Sequence, residues 1–417
     1  LIRETADAFV SSGFADHGYT YICIDDGWEV PTPGRGIKET PERGIKGELG
    51  VQGTPRRDEQ GNILTNAHFP NMKALADYIH AKGMKFGISS SPGPTTCQGV
   101  EASAGHEEQD LKTGASWGVD YVKYDWCSYQ IPGAGRRGGR GGNQNIPGLK
   151  APYQVLRAAI DKQDRDMVMS MCQYGMGNSW EWAAEDGIGA NLWRSTGDIR
   201  DNWPNVSNIG FAQNGHEMFT KPGHWNDTDM LVVGVVGWSY EEPHASKLTQ
   251  NEQLTHIGLW AILAAPMILG NDMTKMDEFT AAMMCNDEML AVDQDPLGKQ
   301  GKRILPASPE GQPNAGARAP QQVWARELWD GTMAVGLFNL GDAPAKVSVS
   351  LKELNEGLKM KVEAGVPVRD IWGLKDLAGA GEVVEAEVPR HGMVFLKVGK
   401  GKSEAECVAA LVKANGG

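Results

Sequence analysis

The chain has 417 residues, 41% hydrophobic and 22% charged, with a formal net charge of −13. That composition builds a folded core, and the length suits one large domain with a smaller one. An acidic surface lacks the basic patches that nucleic acid or an anionic membrane requires, and it suits a neutral ligand such as a sugar. The longest apolar run, 258–270, is broken by Pro266 and falls short of the roughly 18 residues of a membrane span. Six cysteines without CxxC or HExxH spacing form neither a disulfide scaffold nor a zinc site; buried thiols with one bridge are expected.

Residues 1–14 predict an amphipathic helix, and the apolar run 21–24 a buried strand ending in Asp25 and Asp26. Helix 70–82 stops at Gly83, strand 85–89 follows, and helix 106–117 opens on His106, Glu107 and Glu108, where acidic groups favour the N-terminus. Strand 119–124 ends at Asp125, helix 153–162 leads to strand 167–171 and Cys172, and a short strand at 191–194 precedes Asp198. Segment 224–231 carries Asp227 and Asp229; helix 251–264 and a last strand at 267–269 complete the series. Strands alternating with helices predict a parallel α/β sheet. Nearly every strand ends in an acidic or polar residue, which fits a (β/α)₈ barrel with chemistry at the C-terminal strand ends. Seven strands are counted, so the closing one is expected upstream of Leu1. Two Gly-rich interruptions, 29–69 and 131–149, follow strands with catalytic candidates and read as rim loops. The second lacks the GxxxxGK[ST] pattern of a nucleotide site. From about 302 the pattern becomes antiparallel β, with strands at 322–326, 333–339, 345–351, 383–388 and 393–398. The expected domains are a barrel over 1–300, a β-sandwich over 301–400 and a tail over 401–417 with a weak helical pattern and no assigned role.

The chemistry sits in four segments. In the strand Tyr121-Val122-Lys123-Tyr124-Asp125 alternate residues share a face. Lys123 beside Asp125 would keep that carboxylate ionised and oriented, as a glycosidase nucleophile requires; a structural ion pair is the equal alternative. Asp198, just past Trp193-Arg194, is a candidate general acid, with a raised pKa expected from neighbouring carboxylates, or a helix cap. Asp25-Asp26-Gly27-Trp28 suits hydrogen bonding to sugar hydroxyls, with Mg²⁺ or Ca²⁺ as the rival ligand. Asp227-Thr228-Asp229-Met230 is another acidic strand end. Thirteen tryptophans are mostly core candidates, but Trp28, Trp126 and Trp193 adjoin catalytic candidates and are read as stacking faces for sugar.

The segments YICIDDGW, FPNMKALADYIHAKGMKFGI, TTCQG, GVDYVKYDWC, LWRSTGDI, WNDTDML, LWAILAAPMILGNDM and DQDPLGKQG, in order over about 400 residues, together resemble glycoside hydrolase family 27, the α-galactosidases and α-N-acetylgalactosaminidases. The resemblance implies a retaining enzyme with a (β/α)₈ barrel, an antiparallel β domain and no metal or organic cofactor. Asp125 matches the nucleophile and Asp198 the acid/base. Asp25 and Asp26 match the pair on the sugar's 4- and 6-hydroxyls, with Trp28 and Met230 beside the sugar. Lys123, Arg194 and Asp229 match further sugar contacts, and Cys97 and Cys127 a disulfide beside the nucleophile. Such a bridge implies secretion or periplasmic export. The family's opening Gly-Trp-Asn-Ser-Trp strand does not occur in this sequence. Where the family reads Ile-Tyr-(Ser/Ala)-Asp, Ile88-Ser89-Ser90-Ser91 stands here, and the loop facing the sugar's 2-substituent carries Gln173 and Tyr174. The implied substrate is a terminal α-galactoside, within an oligosaccharide or other glycoside. The alternatives are α-N-acetylgalactosaminidase or β-L-arabinopyranosidase activity, an inactive sugar-binding relative, or a metal-dependent phosphohydrolase. Oligomeric state is left open.

Overall fold

The computed structural model describes all residues except 32–54, 133–144, 238–241, 309–310, 314 and 415–417. Two compact units divide the chain, Leu1–Gly197 and Asp198–Gly417.

In the first unit helices and parallel strands alternate as the hydrophobic pattern predicts. The order is α1 (Ile2–Ser11), β1 (Tyr21–Cys23), α2 (Met72–His80), β2 (Lys85–Ser90), α3 (Glu107–Trp117), β3 (Tyr121–Asp125), α4 (Ile146–Ile160), β4 (Val168–Cys172) and β5 (Leu192–Arg194). The pairing register places Cys23 beside Gly87, Ser89 beside Lys123, Lys123 beside Ser170 and Asp125 beside Cys172. Because side chains alternate along a strand, Ser89, Lys123, Asp125, Cys172 and Arg194 share one face of the sheet. The other face is core: Ile22, Phe86, Ile88, Val122, Tyr124, Met169 and Met171 are buried under the helices. Gly87 is needed here, since a Cβ at this position would lie 2.4 Å from Cys23 Sγ.

Helix α4 starts seven residues before the predicted helix. Pro152, outside the predicted helix, lies inside α4 on the buried face with Leu149, Tyr153, Leu156 and Ile160. The N-terminal turn is capped by the Asn145 side chain, which accepts from Gly148 N at 3.0 Å. Burial of that apolar stripe outweighs the lost hydrogen bond at the proline. Of the two predicted rim loops, residues 32–54 and 133–144 lie outside the described residues.

The second unit contains α5 (Trp203–Gly210), β6 (Trp225–Asp227), a short antiparallel pair β7 (Val235–Val236) and β8 (His244–Ala245), and α6 (Gln250–Leu263). The expected strand at 267–269 is reduced to one parallel bridge, Leu231 to Leu269. Helices α7 (Glu278–Met284) and α8 (Asp287–Asp293) precede the β domain. There β9 (Lys302–Leu305), β10 (Gln321–Glu327), β11 (Met333–Asn339), β12 (Ala345–Ser350), helix α9 (Leu351–Leu358), β13 (Val368–Asp370), β14 (Lys375–Leu377), β15 (Val383–Val388) and β16 (Met393–Val398) follow. A six-stranded sheet, β14-β13-β16-β11-β10-β9, faces the β12-β15 pair across a core of Val323, Val335, Leu337, Val347, Val349, Leu354, Val384, Val388 and Leu396. The weakly patterned tail forms helix α10 (Glu404–Ala414), opened by Ser403 and Glu406 bonding to each other's ends.

Helix α6 is buried on almost every side, including Ile257, Leu259, Trp260, Ile262 and Leu263. Such a helix must be covered all round. Gly336 of β11 leaves room for it, since a Cβ there would meet Ile262 Cδ1 at 2.7 Å. Arg326 of β10, 1% exposed, donates from one guanidinium nitrogen to the carbonyls of Ala261 at 2.9 Å, Val292 at 2.5 Å and Asp293 at 3.1 Å. These are last-turn carbonyls of α6 and α8, beyond the regular intrahelical ladder; those of Ala261 and Val292 also accept from the capping N–H groups of Ala264 and Gln294. The sandwich thus caps two helices with a buried cation, which the helix dipoles also favour. Replacing Arg326 by Met removes the donor from buried carbonyls and should lower stability by about 3 kcal/mol. Thermal melting checks this, and an unchanged melting temperature contradicts it.

Candidate active site

The strand ends of the first unit gather charge on one sheet face. Lys123 Nζ lies 3.0 and 3.1 Å from the two Asp25 oxygens and 3.5 Å from Asp125 Oδ2. Desolvation acts against the charge on Lys123, but Asp25 foremost, with Cys172 and Asp125, holds its pKa well above the usual lysine range. Asp25 is likewise pushed up by desolvation, yet the Lys123 ammonium and the Asp26 N–H at 2.9 Å bring its pKa below the ordinary carboxylate value. Asp26 is shifted upward, first by burial and then by the Asp25 charge, although the Gln98 N–H donates to it at 2.9 Å. Adjacent carboxylates therefore differ: Asp25 is held charged by a lysine and Asp26 is not.

The sequence pairs Lys123 with Asp125; the structure gives Lys123 chiefly to Asp25. Asp125, 14% exposed, is engaged from elsewhere: the Tyr174 hydroxyl donates to its Oδ1 at 2.8 Å. Tyr174 reaches it from a turn after β4 in which its φ is 62°, a left-handed conformation costing about 1–3 kcal/mol for a non-glycine residue. The turn is fastened to the end of β5, where the Arg194 carbonyl accepts from Gly175 N at 3.1 Å and Ser179 Oγ at 3.0 Å. Gly175 is obligatory, as a Cβ there would sit 2.4 Å from the Ser195 carbonyl. Arg194 stacks over the Tyr174 ring at 5.9 Å and donates to Cys172 Sγ at 3.6 Å.

Cys97 and Cys127 are bridged, as the motif match implies. Their sulfurs lie within 4.8 Å of an Asp125 oxygen, but bonded to each other they are not thiolate donors for a metal. Thr95 and Ser128 tie the same two segments together through bonds of 3.0 and 2.6 Å.

The three tryptophans beside the acidic segments, Trp28, Trp126 and Trp193, are 2%, 6% and 0% exposed. Trp28 donates to the Ser89 carbonyl at 3.0 Å and packs edge-on against Trp117; these rings brace the strand ends from below. Gln173 is fully buried, and the left-handed turn brings its neighbour Tyr174 to Asp125.

In the second unit Asp198 is exposed on the loop that leads to α5. Its neighbour Ile199 donates its N–H to Asp229 Oδ2 at 2.7 Å. The other Asp229 oxygen accepts from Met230 N at 2.8 Å, and the Asp229 carbonyl accepts from Trp260 Nε1 at 3.0 Å. Asp229 itself has φ 80° and donates to Asp227 Oδ1 at 2.7 Å. His256, whose pKa burial pushes down to about 3, is neutral and accepts from Val232 N at 3.1 Å. Helix α6 thus locks segment 229–232, and Asp229 in turn fixes the backbone beside Asp198. Met230 is half-buried next to it.

The sequence reading missed Glu29. It is 0% exposed, and one oxygen accepts from Gly27 N at 3.0 Å. Burial foremost, with Asp26 and Asp25 adding to it, raises its pKa well above the ordinary 4.5. Nothing in a run of three acidic residues over five positions marks this one as the neutral member. A carboxyl with a raised folded-state pKa stabilises fully below its unfolded value and loses that contribution as pH climbs through the folded value. Glu29→Gln should therefore gain melting temperature relative to wild type as pH rises above the ordinary carboxylate range. Parallel curves for the two proteins would contradict an upward shift at Glu29.

The model of alpha galactosidase A matches residues 51–295, and that of the alpha galactosidase C-terminal beta sandwich domain matches 318–398. The chain is 36% identical over 375 residues to alpha-galactosidase 2 of Arabidopsis thaliana, covering 89% of this chain and 78% of that protein. It is 36% identical over 394 residues to the alpha-galactosidase of Cyamopsis tetragonoloba, covering 94% and 80%. The crystal structure of alpha-galactosidase I from Mortierella vinacea superposes with a TM-score of 0.77 at 29% identity, covering 97% of this chain and 94% of that one. The fold class is accordingly the TIM barrel followed by an antiparallel β-sandwich. With both family models matched and curated relatives 36% identical over most of its length, the chain belongs to the α-galactosidase family, glycoside hydrolase family 27.

Proposed function

We propose that this glycoside hydrolase removes terminal α-linked galactose by double displacement, with Asp125 as nucleophile and Asp198 as acid/base. The observation that carries the reading is the setting of Asp125: at the C-terminal end of β3, bound by the Tyr174 hydroxyl at 2.8 Å, 3.5 Å from the Lys123 ammonium, on the sheet face shared with Arg194.

In the first step an Asp125 oxygen bonds to the anomeric carbon as the glycosidic C–O bond breaks, and Asp198 gives its proton to the departing oxygen. In the second, Asp198 takes a proton from water, whose oxygen displaces the Asp125 ester and regenerates the carboxylate. Retention requires the two carboxyl groups roughly 5–5.5 Å apart. Asp25, ionised against Lys123, accepts hydrogen bonds from sugar hydroxyls, and Asp26 beside it serves a neighbouring hydroxyl as acceptor or, when protonated, donor. Lys123 and Arg194 complete the polar lining, and the chemistry calls on no metal. Asp229 keeps the acid/base loop in place. The catalytic barrel extends to about residue 300, and 301–400 forms the sandwich. The Cys97–Cys127 bridge supports an oxidising compartment, hence secretion or export; among the described residues no helix is long and apolar enough to cross a membrane.

Aryl α-galactoside, α-N-acetylgalactosaminide and β-L-arabinopyranoside, assayed side by side, test the sugar: the first should be turned over fastest, and preference for either of the others would reassign it. Asp125→Ala should lower kcat on the aryl α-galactoside by about 10³-fold or more while leaving the melting temperature near wild type; substantial residual turnover removes Asp125 as nucleophile. Asp229→Asn puts a donor where two backbone N–H groups now find acceptors. It should cost about tenfold to a hundredfold in kcat through misplacement of Asp198, and an unchanged kcat would show that the loop holds itself.

A further inference from the structure

We infer that Tyr174 is the positioning residue of the nucleophile: its hydroxyl holds Asp125 Oδ1 and leaves Oδ2 as the attacking atom. The inference rests on the α-galactosidase reading above and assigns a role to a residue outside the acidic motifs. A carboxylate at a strand end can rotate about its Cα–Cβ and Cβ–Cγ bonds, and attack demands one orientation. Lys123 does not impose it, because its ammonium sits 3.0 and 3.1 Å from Asp25 and 3.5 Å from Asp125. Tyr174 does, through a 2.8 Å bond to one oxygen only.

The tyrosine is itself held against its backbone preference. Its φ of 62° is kept by Gly175 N and Ser179 Oγ bonding to the Arg194 carbonyl, by Trp182 Nε1 donating to the Gly177 carbonyl at 2.8 Å, and by the Arg194 guanidinium over its ring. A left-handed tyrosine maintained by so many contacts points to a function for its placement. In the reaction Oδ2 forms the bond to the anomeric carbon while the glycosidic bond breaks and Asp198 protonates the leaving oxygen. Oδ1 becomes the ester carbonyl, still accepting from Tyr174. Hydrolysis reverses the sequence, with water supplying the oxygen to carbon and its proton to Asp198. The hydroxyl is neither oxidised nor deprotonated at any step.

The test compares wild type, Tyr174→Phe and a protein carrying 3-fluorotyrosine at position 174, on an aryl α-galactoside across the acid pH range. A wild type inert on this substrate overturns the galactosidase reading and the inference with it. With an active wild type, Tyr174→Phe should melt as wild type does, lose about tenfold in kcat/KM, and show the acidic limb of its kcat/KM profile moved up by about one pH unit, because a hydrogen bond to the charged form has gone. The fluorinated phenol donates more strongly and should move that limb down; one added fluorine does not threaten folding. Superimposable acidic limbs for wild type and the fluorinated protein, or lost activity in Tyr174→Phe with its acidic limb in place, overturn the inference while leaving the family reading intact.

Discussion

A carboxylate that attacks carbon must carry its charge, and in the first unit Asp25, Asp26 and Glu29 follow the end of β1 while Asp125 ends β3. Like charges at this density raise one another's pKa values. The structure resolves the conflict by division. Lys123 neutralises Asp25, burial pushes the pKa of Glu29 well up, that of Asp26 is shifted upward, and Asp125 is bound by a neutral phenol with the lysine at a longer distance. The parallel register that places Lys123 and Asp125 on one face makes this division possible, so the chemistry depends on strand alternation before it depends on any one side chain.

Support for the site is bought with local strain. Tyr174 and Asp229, one in each unit, both have left-handed backbone, and both are fixed by several hydrogen bonds to rigid elements: Tyr174's turn to the end of β5, Asp229 to α6 through Trp260. In the second unit the chain of support continues outward. Helix α6 carries Trp260 and His256 on the side toward segment 229–232, and its last turn is capped by Arg326 from the sandwich. The β domain thereby stabilises the helix that holds segment 229–232 and, through Asp229, the backbone beside Asp198, which gives the sandwich a physical role beyond packing.

Much of this was legible in the sequence. Alternation of strand and helix signals gave the α/β class, and all five expected sandwich strands lie within a residue of their observed limits. Asp125 and Lys123 share a face because a period of two requires it. The misses have identifiable causes. The helix expected from 153 begins at Ile146, because α4 carries Pro152 on its buried stripe with Leu149 and Tyr153. The 267–269 run is apolar enough for a strand, yet only one bridge forms. The three tryptophans are adjacent to acids in sequence, and burial, which adjacency does not report, removes their faces from solvent. Tyr174 and Gln173 cannot be told apart without the sign of φ at 174, and Lys123's preference for Asp25 over Asp125 depends on a contact 98 residues away.

The central claim is that Asp125 forms the covalent bond to the sugar. It is tested most directly by incubating the enzyme with a fluorinated α-galactosyl substrate whose first step outruns its second, then digesting and mapping the labelled peptide by mass spectrometry. The account predicts a single glycosyl adduct on the peptide spanning Asp125, absent from Asp125→Ala. An adduct on another carboxylate, or inactivation with Asp125 unmodified, would contradict it.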